Sequence, residues 1–201
     1  MVTRRYRMRI PTIMRSPSMS RIFLSTLCSL AFLITAQAAE STLYQGADAA
    51  FQALLRSNDD SHREQTTWIS APGPTSGIEI TCRPGPGYAG IKILPSPAQD
   101  LTAFSYLEAR VENLGDTPFP LTLRLDASPS GSTEPWNEQG ITLKPHHPET
   151  LRVVLGTHWG RAGHPIDTKH ITQISLFTPK PASECRFRLE SLVAGSTPAG
   201  K

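Results

Sequence analysis

The sequence predicts an all-β protein, an antiparallel jelly-roll β-sandwich with one short N-terminal helix, and three observations carry that prediction. Residues 102–193 hold five or six short segments in which apolar and polar residues alternate with period two. Pro and Gly turn signals separate them every 8 to 15 residues, the rhythm of a sandwich. Almost no helical periodicity falls between them, which excludes the strand and helix alternation of a parallel α/β sheet.

The elements follow in order. Six arginines (Arg4, Arg5, Arg7, Arg9, Arg15, Arg21) precede an apolar run from Ile22 to Ile34, and Ala36-Gln37-Ala38 offers a small-residue cleavage site. Residues 1–38 therefore read as a secretory signal peptide, and the protein as periplasmic or secreted. The run is too short for a membrane of about 30 Å, which takes about 20 apolar residues, so no membrane insertion is expected. Cys28 lies inside the run behind Leu27, not behind the small residue that lipidation of a cysteine requires, and is read as removed with the leader. Met19-Ser20-Arg21 would open a complete signal by itself, so residues 1–18 are either an overlong start or an extended basic region.

Removing the leader reverses the charge. The chain holds 20 basic and 17 acidic residues, but six of the basic ones and none of the acidic ones precede Ala39, leaving 14 against 17. A slightly acidic domain with interspersed signs has no electrostatic footprint for nucleic acid or other polyanions. The 163 residues after Ala38 suffice for one domain with a full core. Two cysteines remain, Cys82 and Cys185, each within an apparent strand. In an oxidising compartment such a pair reads as a Cys82–Cys185 disulfide, which would close a loop of about 100 residues and contribute roughly 4 to 5 kcal/mol. Two buried thiols on separate strands are the alternative, and geometry decides between them.

Leu43 to Leu55 is predicted helical: Phe51, Leu54 and Leu55, with Ala47 and Ala50, recur at helical spacing, and Ser57-Asn58-Asp59-Asp60-Ser61 stops the run. It covers a sheet edge or an open end of the sandwich. Residues 39–66 are thus a helix and lead-in, 67–194 the β-sandwich and 195–201 a flexible tail. Strands are predicted at 67–70, 77–83, 90–94, 104–112, 119–126, 140–143, 150–155, 170–177 and 185–193. In the fourth, Tyr106, Glu108, Arg110 and Glu112 alternate with Leu107, Ala109 and Val111; in the fifth, Leu121, Leu123 and Leu125 point one way and Thr122 and Arg124 the other. Such strands have one buried and one solvated face.

The order of Ser105 to Asp116, then Ile141-Thr142-Leu143-Lys144-Pro145, then Leu151 to Leu155 resembles the non-catalytic, carbohydrate-binding-module-like jelly roll at the N-terminus of β-agarases. Trp159-Gly160-Arg161-Ala162-Gly163-His164-Pro165 is similar to the Gly-rich connection before the penultimate strand of those modules. The closing strands, Ile171 to Phe177 and Phe187 to Val193, are similar to the end of galactose-binding-like carbohydrate modules. The resemblance spans roughly residues 77–194 and implies a sandwich fold and a carbohydrate ligand. It implies no agarase activity, since the catalytic barrel that follows the module in those enzymes has no counterpart in the 201 residues.

Sugar sites in all-β modules take an aromatic ring to stack on a pyranose and polar groups to bind its hydroxyls. Trp136-Asn137-Glu138, in a predicted surface loop from Asp126 to Gly140, supplies one such set, and His158-Trp159-Gly160-Arg161 another. The candidate substrate-binding residues are Trp136, Asn137, Trp159 and Arg161, with a weaker claim for Tyr88; each tryptophan can alternatively plug the end of the sandwich. The six histidines show no metal-ligand spacing: His146 and His147 point opposite ways on an extended segment, and His158, His164 and His170 lie six residues apart. No cofactor is expected, and a structural calcium on Asp carboxylates and loop carbonyls is the one metal such a fold leaves room for. No nucleophile, base and acid set can be assembled, so an enzyme is not expected. Two functions remain: an exported non-catalytic module that binds a polysaccharide or oligosaccharide, or an assembly protein of the cell envelope that binds a protein partner through a sandwich face or edge.

Overall fold

The computed structural model describes residues 40–46, 48–73, 76–127 and 136–196. The predicted leader over 1–38 and residues 197–201 of the predicted tail lie outside the described residues, as does most of the loop before Trp136.

Period-two alternation builds the strands. In chain order they are β1 (Glu40–Gln45), β2 (Leu55–Ser57), β3 (Thr66–Ala71), β4 (Gly77–Cys82), β5 (Tyr88–Ile93), β6 (Tyr106–Asn113), β7 (Phe119–Asp126), β8 (Trp136–Leu143), β9 (Pro148–Val154), β10 (Thr157–His158), β11 (Arg161–Ala162), β12 (Gln173–Pro179) and β13 (Cys185–Gly195), with one helical turn, α1 (Ala49–Gln52), between β1 and β2. The first sheet runs β3-β4-β13-β6-β9, with β1 also on β13; the second runs β11-β10-β8-β7-β12-β5-β2. Long β13 serves two neighbours on one side: residues 185–189 pair with β4 and residues 191–195 with β1. Between the sheets lie Ile78, Ile80, Leu107, Val111, Leu151 and Leu189 from the first and Ile91, Leu121, Leu123, Leu125, Leu143 and Leu176 from the second, all fully buried. Phe187 is the largest fully buried side chain, and truncating it to Ala would remove about 3 to 5 kcal/mol.

All nine predicted strands are present, and four others (β1, β2, β10, β11) join them. The predicted helix over 43–55 is corrected to a single turn. Leu43 to Gln45 are claimed by β1, whose backbone pairs with the end of β13, and Leu55 by β2. What remains is capped by Asp48, whose carboxylate accepts from Ala50 N at 2.8 Å, and pinned by Phe51 stacked on Tyr44 at 3.9 Å. The lead-in is therefore part of the sheets. A second correction concerns Trp136, which opens strand β8 opposite Asp126 rather than riding a loop.

The two cysteines of the predicted bridge meet. The register sets Cys185 directly opposite Cys82, yet both are free, buried thiols. Their mutual side-chain hydrogen bond, and after it burial, push the Cys82 thiol well above its ordinary range. The same hydrogen bond, set against burial, holds the Cys185 thiol below its ordinary value.

Candidate functional site

The inward residues of the second sheet make the core, so its outward residues make a surface. On β5, β12, β7 and β8 these form three cross-strand rows. In the middle row Lys92 faces Ser175, Ser175 faces Arg124, Arg124 faces Glu138, and Glu138 faces His158 of β10. One row over lie Gly90, Phe177, Thr122 and Gly140; on the other side lie Gln173, Asp126 and Trp136. The loop Asn58–Ser61 and the turn carrying Trp159 complete the lining of a groove of about 960 Å³ over these rows. Inter-strand spacing puts β8 and β5 about 14 Å apart across it.

The floor is polar and closed. Lys92, only 5% exposed, donates from Nζ to Asp60 Oδ2 at 2.6 Å. Arg124 Nε donates to both oxygens of the Asp126 carboxylate at 3.0 Å. Gln173 Nε2 donates to Ser175 Oγ at 3.0 Å. The two charge-assisted pairs, with the neutral Gln173–Ser175 bond between them, fix the floor's geometry.

Trp159 forms the wall over β8. Its indole Nε1 donates to Glu138 Oε1 at 2.8 Å, and its backbone N to Glu138 O at 2.9 Å. Its φ of 48° lies in the left-handed region, an outlier for a bulky residue. Gly140 makes room for the ring: a Cβ there would stand 2.7 and 2.9 Å from two indole carbons. The residue is nevertheless 49% exposed, so much of its apolar surface is held in place against water. Opposite, Tyr88 is 47% exposed and meets Phe177 edge to face at 5.6 Å. Aromatic groups thus stand at both ends of a polar floor.

The four predicted site residues separate. Trp136 and Trp159 both line the groove. They differ in access, because the Arg124 guanidinium lies 4.3 Å over the Trp136 ring and His158 packs at its edge, 5.9 Å away. Asn137 alternates to the inner side of β8 and is fully buried. Its amide donates to His164 O at 2.8 Å and accepts from Gly156 N at 2.7 Å. It ties down the turn that carries Trp159 and is not exposed to the groove. Arg161 is exposed on β11, outside the groove's lining. Among the described residues no group of three or more His, Cys, Asp or Glu is placed to hold a metal.

Sequence reasoning missed Lys92, Ser175 and Asp60 and used Glu138 only as a neighbour of Trp136. Alternation already sent Arg124 outward; the signal lacking was strand order, which alone brings β5 beside β12 and β12 beside β7.

No family model matches the chain, and no curated protein sequence matches it. Solved structures do. An exo-β-agarase superposes with a TM-score of 0.58 at 11% identity over 80% of this chain and 25% of its own. A second agarase gives 0.51 at 13% identity over 73% and 25%. A family 29 carbohydrate-binding module gives 0.51 at 10% identity, over 80% of this chain and 92% of its own. The chain thus spans about a quarter of the agarases' length and nearly all of the module's. At these identities the likeness is one of fold: the chain has the all-β jelly-roll sandwich that carbohydrate-binding modules have, as the resemblance read in its sequence implied.

Proposed function

We propose that this protein is a non-catalytic carbohydrate-binding module that lays a polysaccharide or oligosaccharide across the groove of its second sheet. The observation that carries the proposal is Trp159, a half-exposed indole fixed by Glu138 and seated over Gly140 at the wall of a polar groove. An exposed, immobilised ring gives a pyranose face large apolar contact with little ordering cost. The floor supplies hydroxyl partners: carboxylates at Asp60 and Glu138 accept, while Lys92 and Arg124 donate. Trp136, half covered by Arg124, offers an edge rather than an open face, and Tyr88 offers a second ring at the far end. The groove's width across four strands suits an extended chain better than a single sugar. The fold shared with the family 29 module supports the ligand class.

The leader read over residues 1–38 supports export to the periplasm or exterior, where such polymers are met. The absence of an assembled acid, base and nucleophile in the sequence supports a binding role without catalysis.

The experiment is a glycan array followed by calorimetry with the best polysaccharide. Trp159→Ala should weaken binding by about 2 kcal/mol or more, the scale of a hot spot, with the melting transition nearly unchanged because the ring is half outside the fold. If no glycan binds the wild type, or Trp159→Ala binds as well, this reading fails and the protein-partner alternative gains.

A further inference from the structure

We propose that Asp60 sets the charge class of the ligand: by holding the Lys92 ammonium it denies that cation to acidic sugars, so the groove takes uncharged glycans and turns away carboxylated or sulfated ones. The inference rests on the carbohydrate reading above.

Among the described residues two cations line the groove, and each is already engaged by a carboxylate of the protein. The two pairs are built differently. Arg124 is held on both carboxylate oxygens by Asp126, whose side chain is 8% exposed, so that pair is closed from below. The Lys92 side chain is 6% exposed, but that of its partner Asp60 is 73% exposed and approaches from the solvent side. Any ligand anion seeking Lys92 must therefore compete with Asp60 for it.

The neighbourhood makes that competition unfavourable. Asp59 lines the same end of the groove, its carboxylate held there by Ser61 N at 2.9 Å and Tyr88 N at 3.2 Å. Glu138 lines the other end. With Asp126 behind Arg124, four carboxylates stand against two cations, and His158 is the titratable neighbour of Glu138 at 3.7 Å. A sugar hydroxyl can donate to any of these carboxylates, whereas a sulfate or uronate finds like charge at every approach. Discrimination of this kind comes from the repulsive element as much as from the attractive one.

The test uses the full chain and two pairs of polymers that differ in charge: hydroxyethyl cellulose against carboxymethyl cellulose, and agarose against carrageenan. Affinity is read for wild type, Asp60→Asn, Asp60→Glu and the double variant Asp60→Asn/Lys92→Met. The amide in Asp60→Asn keeps an oxygen for Lys92 but loses the charge. The wild type should bind the neutral member of at least one pair about tenfold or more tighter than the charged member, the scale of one unit charge a few ångströms away in a wet groove. Asp60→Asn should close that gap about tenfold, the ratio of the two affinities being the readout; Asp60→Glu and the double variant should keep the gap. The inference is overturned if the charged polymer binds wild type as well as the neutral one, or if Asp60→Asn leaves the gap unchanged. If neither member of either pair binds, it is the carbohydrate reading that has failed, and the charge rule falls with it.

Discussion

Gly140 offers the sharpest perturbation, because it lets binding be separated from folding. A Cβ at this position would stand 2.7 Å and 2.9 Å from two carbons of the Trp159 ring and 3.3 Å from Thr122 Oγ1. Carbon atoms rest at about 3.5 to 4.0 Å, so in Gly140→Ala the indole must lift by about 0.5 to 1 Å. It cannot slide freely: Nε1 is bonded to Glu138 and the backbone N to the Glu138 carbonyl. Lifting the ring stretches or breaks the Nε1 bond, a solvent-exposed hydrogen bond whose net worth to folding is about 0.5 to 1.5 kcal/mol. The ring then loses its fixed orientation, and affinity should fall about tenfold to hundredfold, or about 1.4 to 2.8 kcal/mol. Folding should not suffer in proportion. Gly140 sits in a strand with no positive φ, where Ala restricts the unfolded chain and returns about 0.4 to 1 kcal/mol. Calorimetry with the bound polysaccharide and a thermal melt of each protein check this, and the double variant with Trp159→Ala should bind no worse than Trp159→Ala alone. Unchanged affinity in Gly140→Ala would refute the view that the seating of Trp159 matters, as would a loss of affinity matched by a collapse of the melting temperature.

Three further outcomes are expected. Asn137→Ala removes two hydrogen bonds from a fully buried amide and should cost about 2 to 3 kcal/mol of stability by denaturant titration, with glycan affinity falling too because the turn from Gly156 to His164 positions Trp159; a variant that loses affinity at unchanged stability would make Asn137 a direct ligand. In the full chain carrying Cys28→Ser, a thiol reagent should find two groups that react only as the protein unfolds, since both are buried; no reactive thiol after denaturation would reveal a bridge. Tyr44 is 2% exposed and its hydroxyl has no partner among the described residues; burial, with Asp48 nearby, pushes its pKa from 10.0 up to about 12. The unfolded chain loses this proton first, so the stability tied to it is complete below about pH 10 and drains away up to about pH 12. Tyr44→Phe should flatten that alkaline decline, and an equal decline in both proteins would exclude Tyr44 as its source.

The boundary between what the sequence disclosed and what it hid runs along a physical line. Alternation is a property of one strand, and it placed β3 to β9, β12 and β13 within a few residues, along with the outward turn of Arg124. Helical spacing at Leu43 to Leu55 was real too, yet Leu43 and Tyr44 were drawn into a sheet by β13, a strand about 150 residues away in sequence. The groove depends on that same long-range order. Lys92 is a lone lysine in an apolar run until β12 and β7 set it in a row with Ser175, Arg124 and Glu138, and Asp60 reads as a turn residue until the loop after β2 folds it onto Lys92. Trp136 and Trp159 were visible because a tryptophan near turn signals is informative residue by residue. What separates them, a guanidinium over one ring and a glycine under the other, is a contact between strands. In this fold the candidate aromatic residues are therefore legible in the sequence, while the polar groups set beside them emerge only from strand order.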